Sequence, residues 1–162
     1  MGPEPNYAPD QTPLNLLNIP LRAIDLPEPQ VALLARYCEL LWEWNGKLNL
    51  TRHTDYERFI VRDVVDSLTL AGFLERGERV LDVGSGGGTP GAILAVVRDD
   101  LQISLCESVG KKARALSDIV ERLGLPTPVL HARAEDVLAS RSFDTLVIRA
   151  VARLRKLLGW FE

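Results

Sequence analysis

The spacing of apolar positions changes along this chain, and the change divides it. Between Pro29 and Leu48, the residues Val31, Leu34, Cys38, Leu41 and Trp42 recur every three or four positions, which predicts an amphipathic helix closed by Gly46. Thr54 or Asp55 is placed to cap a second helix reaching about Leu74. From Arg79 onward, short apolar runs alternate with helical patterns. Arg79 to Val83, Leu101 to Cys106, Pro128 to His131 and Ser142 to Ile148 read as strands. Thr89 to Val97 reads as a helix, and so does Gly110 to Gly124, with Ala115, Leu116, Ile119, Val120 and Leu123 on its inner face. Strand, helix, strand, helix predicts right-handed crossovers and a parallel sheet with helices on both faces, a Rossmann-like α/β fold. Ahead of all this, residues 1–29 hold seven of the ten prolines and predict an extended arm, with a short turn around Leu14 to Ile19. The expected organisation is an arm over 1–29, a helical N-terminal extension over 30–76 and an α/β domain over 77–162.

The first strand leads into a glycine-rich turn, Asp82-Val83-Gly84-Ser85-Gly86-Gly87-Gly88-Thr89-Pro90-Gly91. A phosphate-cradling loop would end in Gly-Lys-Ser/Thr, and Gly88-Thr89-Pro90 does not. A dinucleotide loop needs a glycine at the sixth position counted from Gly84, where Thr89 stands. The remaining pattern, D-x-G-x-G-x-G, resembles the first motif of S-adenosylmethionine (SAM) methyltransferases. Asp82, Gly84, Ser85, Gly86 and Gly88 are therefore candidate cofactor-binding residues, at the sheet edge where open α/β folds bind ligands.

Other candidates leave the same edge. Glu107 ends the second strand, 25 residues after Asp82; it either accepts the two ribose hydroxyls of an adenosine or serves as an ordinary helix-start carboxylate. Arg133-Ala134-Glu135 follows the third strand and either meets an adenine ring or caps a helix. Arg149 leaves the fourth strand. Lys111, Lys112 and Arg114 crowd a helix N-terminus, the end that disfavours cations; this suggests an anionic partner, unless solvent screens them. With Arg133, Arg153, Arg155 and Lys156 they form a candidate cationic rim suited to a phosphate backbone. Asn45 and Asn49 either turn the chain after the first helix or line a site, and their residue types favour turning. Asp63 and Asp66, near Arg62, read as a solvated face with a local ion pair. His131 ends an apolar strand and reads as buried.

Composition narrows the picture. At 162 residues with 46% hydrophobic content, the chain is one domain with a real core. A net charge of −3 argues against coating nucleic acid over the whole surface, and leaves a local basic face open. Cys38 and Cys106 read as buried thiols of a reducing compartment. No metal-ligand spacing, membrane span or signal peptide is visible, so a cytoplasmic enzyme is expected.

Taken together, the residues resemble the small-subunit ribosomal RNA guanine-N7 methyltransferases, the RsmG or GidB family. The resemblance runs from about Ala32 to Trp160. It rests on Trp44-Asn45…Leu48-Asn49-Leu50-Thr51, Asp66-Ser67-Leu68, the glycine loop with its Pro90-Gly91, Glu107-Ser108…Lys111-Lys112, Arg133-Ala134-Glu135 and Ile148-Arg149-Ala150-Val151-Ala152. It implies SAM as cofactor, held by Gly84, Thr89, Ala134, Glu135 and Arg149, with Glu107 at the ribose. It implies Asn45, Asn49 and Arg149 near the incoming guanine of 16S RNA in the small ribosomal subunit. Two positions depart from the family pattern: Thr89, where a large apolar residue is usual, and Asp63, where a histidine is usual. The family also continues for roughly another third beyond Glu162. A sheet lacking its later strands is expected to present an unpaired edge prone to self-association. Alternatives are a SAM methyltransferase for a small molecule or protein, a nucleotide-binding or NAD-dependent protein, and a non-catalytic fragment.

Overall fold

A computed structural model of the chain describes residues 25–149 and 159. Four strands form one parallel sheet: β1 (Arg79–Val83), β2 (Gln102–Glu107), β3 (Val129–His131) and β4 (Thr145–Ile148), in the spatial order β3-β2-β1-β4. The chain builds outward from β1 through β2 to β3, then returns to the other side of β1 to lay down β4. That reversal opens a crevice between the carboxyl ends of β1 and β4, where open α/β sheets take ligands. The register keeps those ends level: Val83 pairs with both Cys106 and Ile148, and Glu107 pairs with His131. β1 is central, and every residue from Val80 to Val83 is buried, as a strand covered on both faces requires.

Side chains alternate between two cores. Val80, Ile103, Leu105 and Val147 face a large one, shared with α1 (Glu28–Asn45), the helical segment spanning residues 56–71, α4 (Gly91–Val97) and α5 (Gly110–Arg122). Leu81, Val83 and Cys106 face a smaller one, covered by Ala134 and Val137 of α6 (Ala134–Ser140). Cys38 and Cys106 are both buried; burial pushes both thiols up, that of Cys106 to about 11.

The helical extension belongs to the large core. α1 starts after Pro27, and Pro29 sits in its first turn, where a missing N–H costs nothing. It ends at Asn45, where the N–H groups of Gly46 and Leu48 donate to Trp42 and Trp44 carbonyls. Trp42 stacks on Tyr56 (centroids 4.4 Å apart), and the Trp44 indole N–H donates to Asp118 of α5 at 2.7 Å. The second expected helix is capped by Asp55, whose carboxylate accepts the Arg58 N–H at 2.8 Å. It is composite: α2 (Tyr56–Phe59), a π-helical turn (Ile60–Val64) and α3 (Val65–Ala71). Its carboxyl end is tied down by Arg98, which donates to the Ala71 and Leu74 carbonyls at 2.6 and 3.1 Å.

Two expectations fail here. Asp63 is not on a solvated face; it is 3% exposed. It falls on the inward stripe Phe59, Ile60, Asp63, Val64, Ser67, Ala71, so its helix position points it into the protein. His131 is exposed rather than buried, because β3 is a three-residue edge strand with nothing beyond it among the described residues.

Candidate functional site

The glycine turn is built as a strap across the carboxyl ends of β1 and β2. The N–H groups of Gly84 and Ser85 both donate to the Cys106 carbonyl, at 2.8 and 3.0 Å. The Ser85 hydroxyl donates back to the Asp82 carbonyl at 2.9 Å, and the Gly88 N–H closes a turn on the Ser85 carbonyl at 2.7 Å. So tight a course needs left-handed backbone at Gly84, Gly86 and Gly88 (φ 71°, 56° and 100°). Gly84 is exposed on the open side of the strap.

Two buried carboxylates brace the turn from beneath. Asp82 is 1% exposed, and its Oδ2 accepts the Gly91 N–H at 3.0 Å, linking β1 to the start of α4. Burial pushes its carboxyl up to about 6, against the opposing pull of the Gly91 N–H, the Ser85 hydroxyl and the Arg149 charge. Gly91 must be glycine for space: a Cβ there would lie 2.3 Å from Leu105 Cδ2 and 2.4 Å from Asp82 Oδ2. Glu107, also buried, accepts the Gly86 N–H on Oε2 at 2.9 Å and the Val109 N–H on Oε1 at 2.8 Å. Each carboxylate oxygen offers about two lone pairs, so one on each remains for a further donor. That donor set fits the vicinal hydroxyls of a ribose.

α1 forms the back wall, a contact that sequence reasoning missed. The Tyr37 hydroxyl, fully buried, donates to the Gly87 carbonyl at 3.0 Å and lies 3.0 Å from Thr89 Oγ1. Leu41 packs so close that a Cβ on Gly87 would approach its Cδ1 to 2.7 Å. The available signal was the hydroxyl itself: a tyrosine in an apolar stripe needs a partner when buried. Thr89 thus has a local reason for its residue type, since its hydroxyl meets a hydroxyl.

The remaining candidates spread along the edge. Ala134 is buried at the start of α6, and Glu135 pairs with Arg133 at 3.6 Å. Lys111, Lys112 and Arg114 lie in the first turn of α5, Lys111 and Arg114 exposed. Arg114 and His131 line a shallow hollow of about 380 Å³. The Asn45 Oδ1 accepts the N–H groups of Leu50 and Thr51 at 2.8 and 2.9 Å, the chain-turning role its residue type favours, and Asn49 is exposed nearby. Arg149 leaves β4 beside the crevice, where its guanidinium pairs with Asp63. Arg153, Arg155 and Lys156 lie outside the described residues, as does the Ala150-Val151-Ala152 part of the motif. Among the described residues no group of histidine, cysteine and acidic side chains is arranged to hold a metal ion, and no helix is long and apolar enough to cross a membrane.

Comparison with known proteins bears on the fold and the family. Among solved structures, a variant of MtNAS in complex with S-adenosylmethionine matches with a TM-score of 0.54 at 20% identity, over 88% of this chain and 60% of that one. A protein-L-isoaspartate O-methyltransferase matches with a TM-score of 0.51 at 15% identity, over 84% of this chain and 47% of that one. Both share the fold. Among curated relatives, the ribosomal RNA small subunit methyltransferase G of Rhodopirellula baltica is 47% identical over 139 residues, 86% of this chain and 60% of the relative. That of Chromobacterium violaceum is 44% identical over 133 residues, 82% of this chain and 64% of the relative. The chain therefore spans less than two thirds of the length of either. The family model described as rRNA small subunit methyltransferase G matches residues 30–162. By that match and those identities, the chain belongs to the ribosomal RNA small subunit methyltransferase G family.

Proposed function

We propose that this chain forms the SAM-binding part of a cytoplasmic methyltransferase acting on N7 of a guanine in 16S RNA of the small ribosomal subunit. The observation that carries the reading is the glycine strap over the carboxyl ends of β1 and β2, next to the β1/β4 switch point, braced by Asp82 and Glu107. Glu107 keeps an acceptor on each oxygen for the ribose, while Gly84, Ser85, Gly86, Gly88 and Thr89 form the wall for the amino-acid end. Ala134 and Glu135 stand at the adenine side. When bound, SAM supplies an electrophilic methyl group.

Guanine N7 has an in-plane lone pair and needs no deprotonation, so the site requires no general base. What the protein must do is hold. Positioning of this kind lowers a barrier by about 7–11 kcal/mol. Arg149, half-exposed beside the crevice, is suited to the guanine or its phosphate, together with the Asn45 amide at the end of α1 and Asn49 in the loop that follows. Lys111, Lys112 and Arg114 extend the cationic rim toward the RNA backbone, and the target base must be unpaired or drawn from its stack.

The test is calorimetric titration of the chain with S-adenosylhomocysteine, followed by transfer of labelled methyl to unmodified small subunits and to naked 16S RNA. Micromolar binding and label at a guanine N7 are expected, with activity falling steeply as salt rises. Preference for NAD in a thermal-shift comparison would overturn the cofactor. Salt-insensitive methylation of a small molecule would overturn the substrate.

A further inference from the structure

Five polar or charged side chains are buried among the described residues: Asp63, Ser67, Asp82, Ser85 and Glu107. Asp82, Ser85 and Glu107 brace the glycine strap, and the Ser67 hydroxyl bonds within its own helix, to the Asp63 carbonyl at 2.6 Å. Asp63 has no such local use. A buried carboxylate is costly unless paired, and the partners of this one come from the loop just before its helix and from a distant segment. Its Oδ1 accepts from Arg149 Nη1 at the carboxyl end of β4, 86 residues along the chain. Its Oδ2 lies 2.5 Å from His53 Nε2, in the loop after α1, close in charge terms though without hydrogen-bond alignment. His53 is itself held edge-on against Phe59, with ring centroids 5.9 Å apart. The pairing is asymmetric: the Asp63 side chain is 4% exposed and that of Arg149 is 54% exposed.

An arginine fork has five N–H donors. Asp63 engages it through one nitrogen, which leaves the rest of the guanidinium on the solvent side of the crevice. The carboxylate therefore does for Arg149 what an orienting group does in a working site. It selects one rotamer of a long, flexible side chain and fixes where the remaining donors point. It sits on a π-helical turn, an irregularity often found at functional sites.

We propose that Asp63 is a positioning residue: from the helical extension it anchors Arg149 at the mouth of the β1/β4 crevice, with His53 closing the opposite side of the carboxylate. Arg149 touches the ligand and Asp63 acts through it. This rests on the SAM-site reading above and adds to it a coupling between the N-terminal helices and the sheet.

The experiment uses the whole chain in two measurements. The first is a double-mutant cycle of Asp63→Asn and Arg149→Gln on S-adenosylhomocysteine affinity, with melting curves for each variant. Loss of a charge-assisted anchor predicts about tenfold weaker binding for Asp63→Asn. In the Arg149→Gln background the same change should matter less than twofold, and Asp63→Glu should recover part of the affinity. An unchanged affinity in Asp63→Asn, or an equal loss in both backgrounds, would overturn the proposal. The second measurement needs neither ligand nor an altered Asp63. In arginine-¹⁵N-labelled chain, the Arg149 guanidinium signal, assigned by its absence in Arg149→Lys, should be immobilised and slow to exchange. A signal as mobile as that of an exposed arginine would refute the anchor even if Asp63→Asn fails to fold. If the parent binds no S-adenosylhomocysteine, the cofactor reading fails on its own, and the guanidinium signal still decides the anchor.

Discussion

The hydroxyl oxygens of Tyr37 and Thr89 lie 3.0 Å apart, joining the middle of α1 to the end of the glycine strap. Tyr37 has one proton and gives it to the Gly87 carbonyl, so Thr89 is the donor of this second bond. The strap is thus held from two directions: by the sheet through Asp82 and Glu107, and by the helical extension through one phenol. Burial pushes the Tyr37 hydroxyl well above the usual phenol range, against the opposing pull of the Thr89 hydroxyl, so it remains neutral and a donor at any working pH.

Tyr37→Phe removes that donor and fills nearly the same space. It leaves the Gly87 carbonyl and the Thr89 hydroxyl without their shared partner in a buried site, a loss of about 1–3 kcal/mol in urea unfolding. Thr89→Val spares the bond to Gly87 and should cost less. Both should weaken S-adenosylhomocysteine binding measured by calorimetry, Tyr37→Phe by the larger factor. Equal unfolding curves for Tyr37→Phe and the parent would show that the strap does not depend on α1.

Gly91→Ala tests the close approach of α4 to β1. Its Cβ would enter the Asp82 carboxylate and the Leu105 side chain at distances no ordinary contact reaches, and the nearest atoms sit in the central core. Overpacking of this kind costs about 1–3 kcal/mol or more, so a lowered melting midpoint and loss of ligand binding are expected together. Gly72→Ala is the control. Gly72 has φ −72° and only one neighbour at 3.4 Å, so the change should be near neutral in the same melts.

Glu107→Gln separates charge from shape. In the parent, both carboxylate oxygens accept backbone N–H groups, from Gly86 and Val109. An amide keeps one acceptor and turns an NH₂ group against the other N–H, so one of the two anchors is lost. Stability should fall by about 1–3 kcal/mol, and ribose contact should weaken as well. Adenosine competes for the ribose contact without engaging the amino-acid end. A matching loss of adenosine affinity would place Glu107 at the ribose, and an unchanged one would confine it to holding the strap.

These contacts also explain which features the sequence disclosed. The strands were legible because Val80 to Val83 and Leu101 to Cys106 are local apolar runs, and Asp82 and Glu107 because a carboxylate at a strand's end beside glycines is a local pattern. Tyr37 and Thr89 were not legible as a pair. Each looked ordinary in its own segment, and their contact spans 52 positions. Asp63 misled for a related reason. An aspartate beside an arginine reads as surface unless its position on the inward stripe from Phe59 to Ala71 is counted, and its countercharge lies in another segment. His131 misled in the opposite sense, because an apolar run does not reveal that its strand forms the edge of the sheet.

Asp82 makes the stability of the fold depend on pH. Its carboxyl is raised from 3.8 to about 6 by burial. Well below pH 4 the group is neutral in both folded and unfolded chains and costs nothing. Between about 4 and 6 the unfolded chain gives up its proton while the folded chain keeps it, so stability falls as pH rises through that window. Above 6 the group is charged in both states, and the folded protein carries the full cost of a buried carboxylate, about 3 kcal/mol from a shift of this size. Asp82→Asn has nearly the same shape, keeps an acceptor for the Gly91 N–H and cannot ionise. Its stability relative to the parent should therefore improve by about that amount between pH 4 and pH 7.5 in paired urea melts. Parallel curves across that range would assign Asp82 an ordinary carboxyl. A gain in stability at neutral pH accompanied by weaker S-adenosylhomocysteine binding would mean that the site retains a destabilising charge because the ligand uses it.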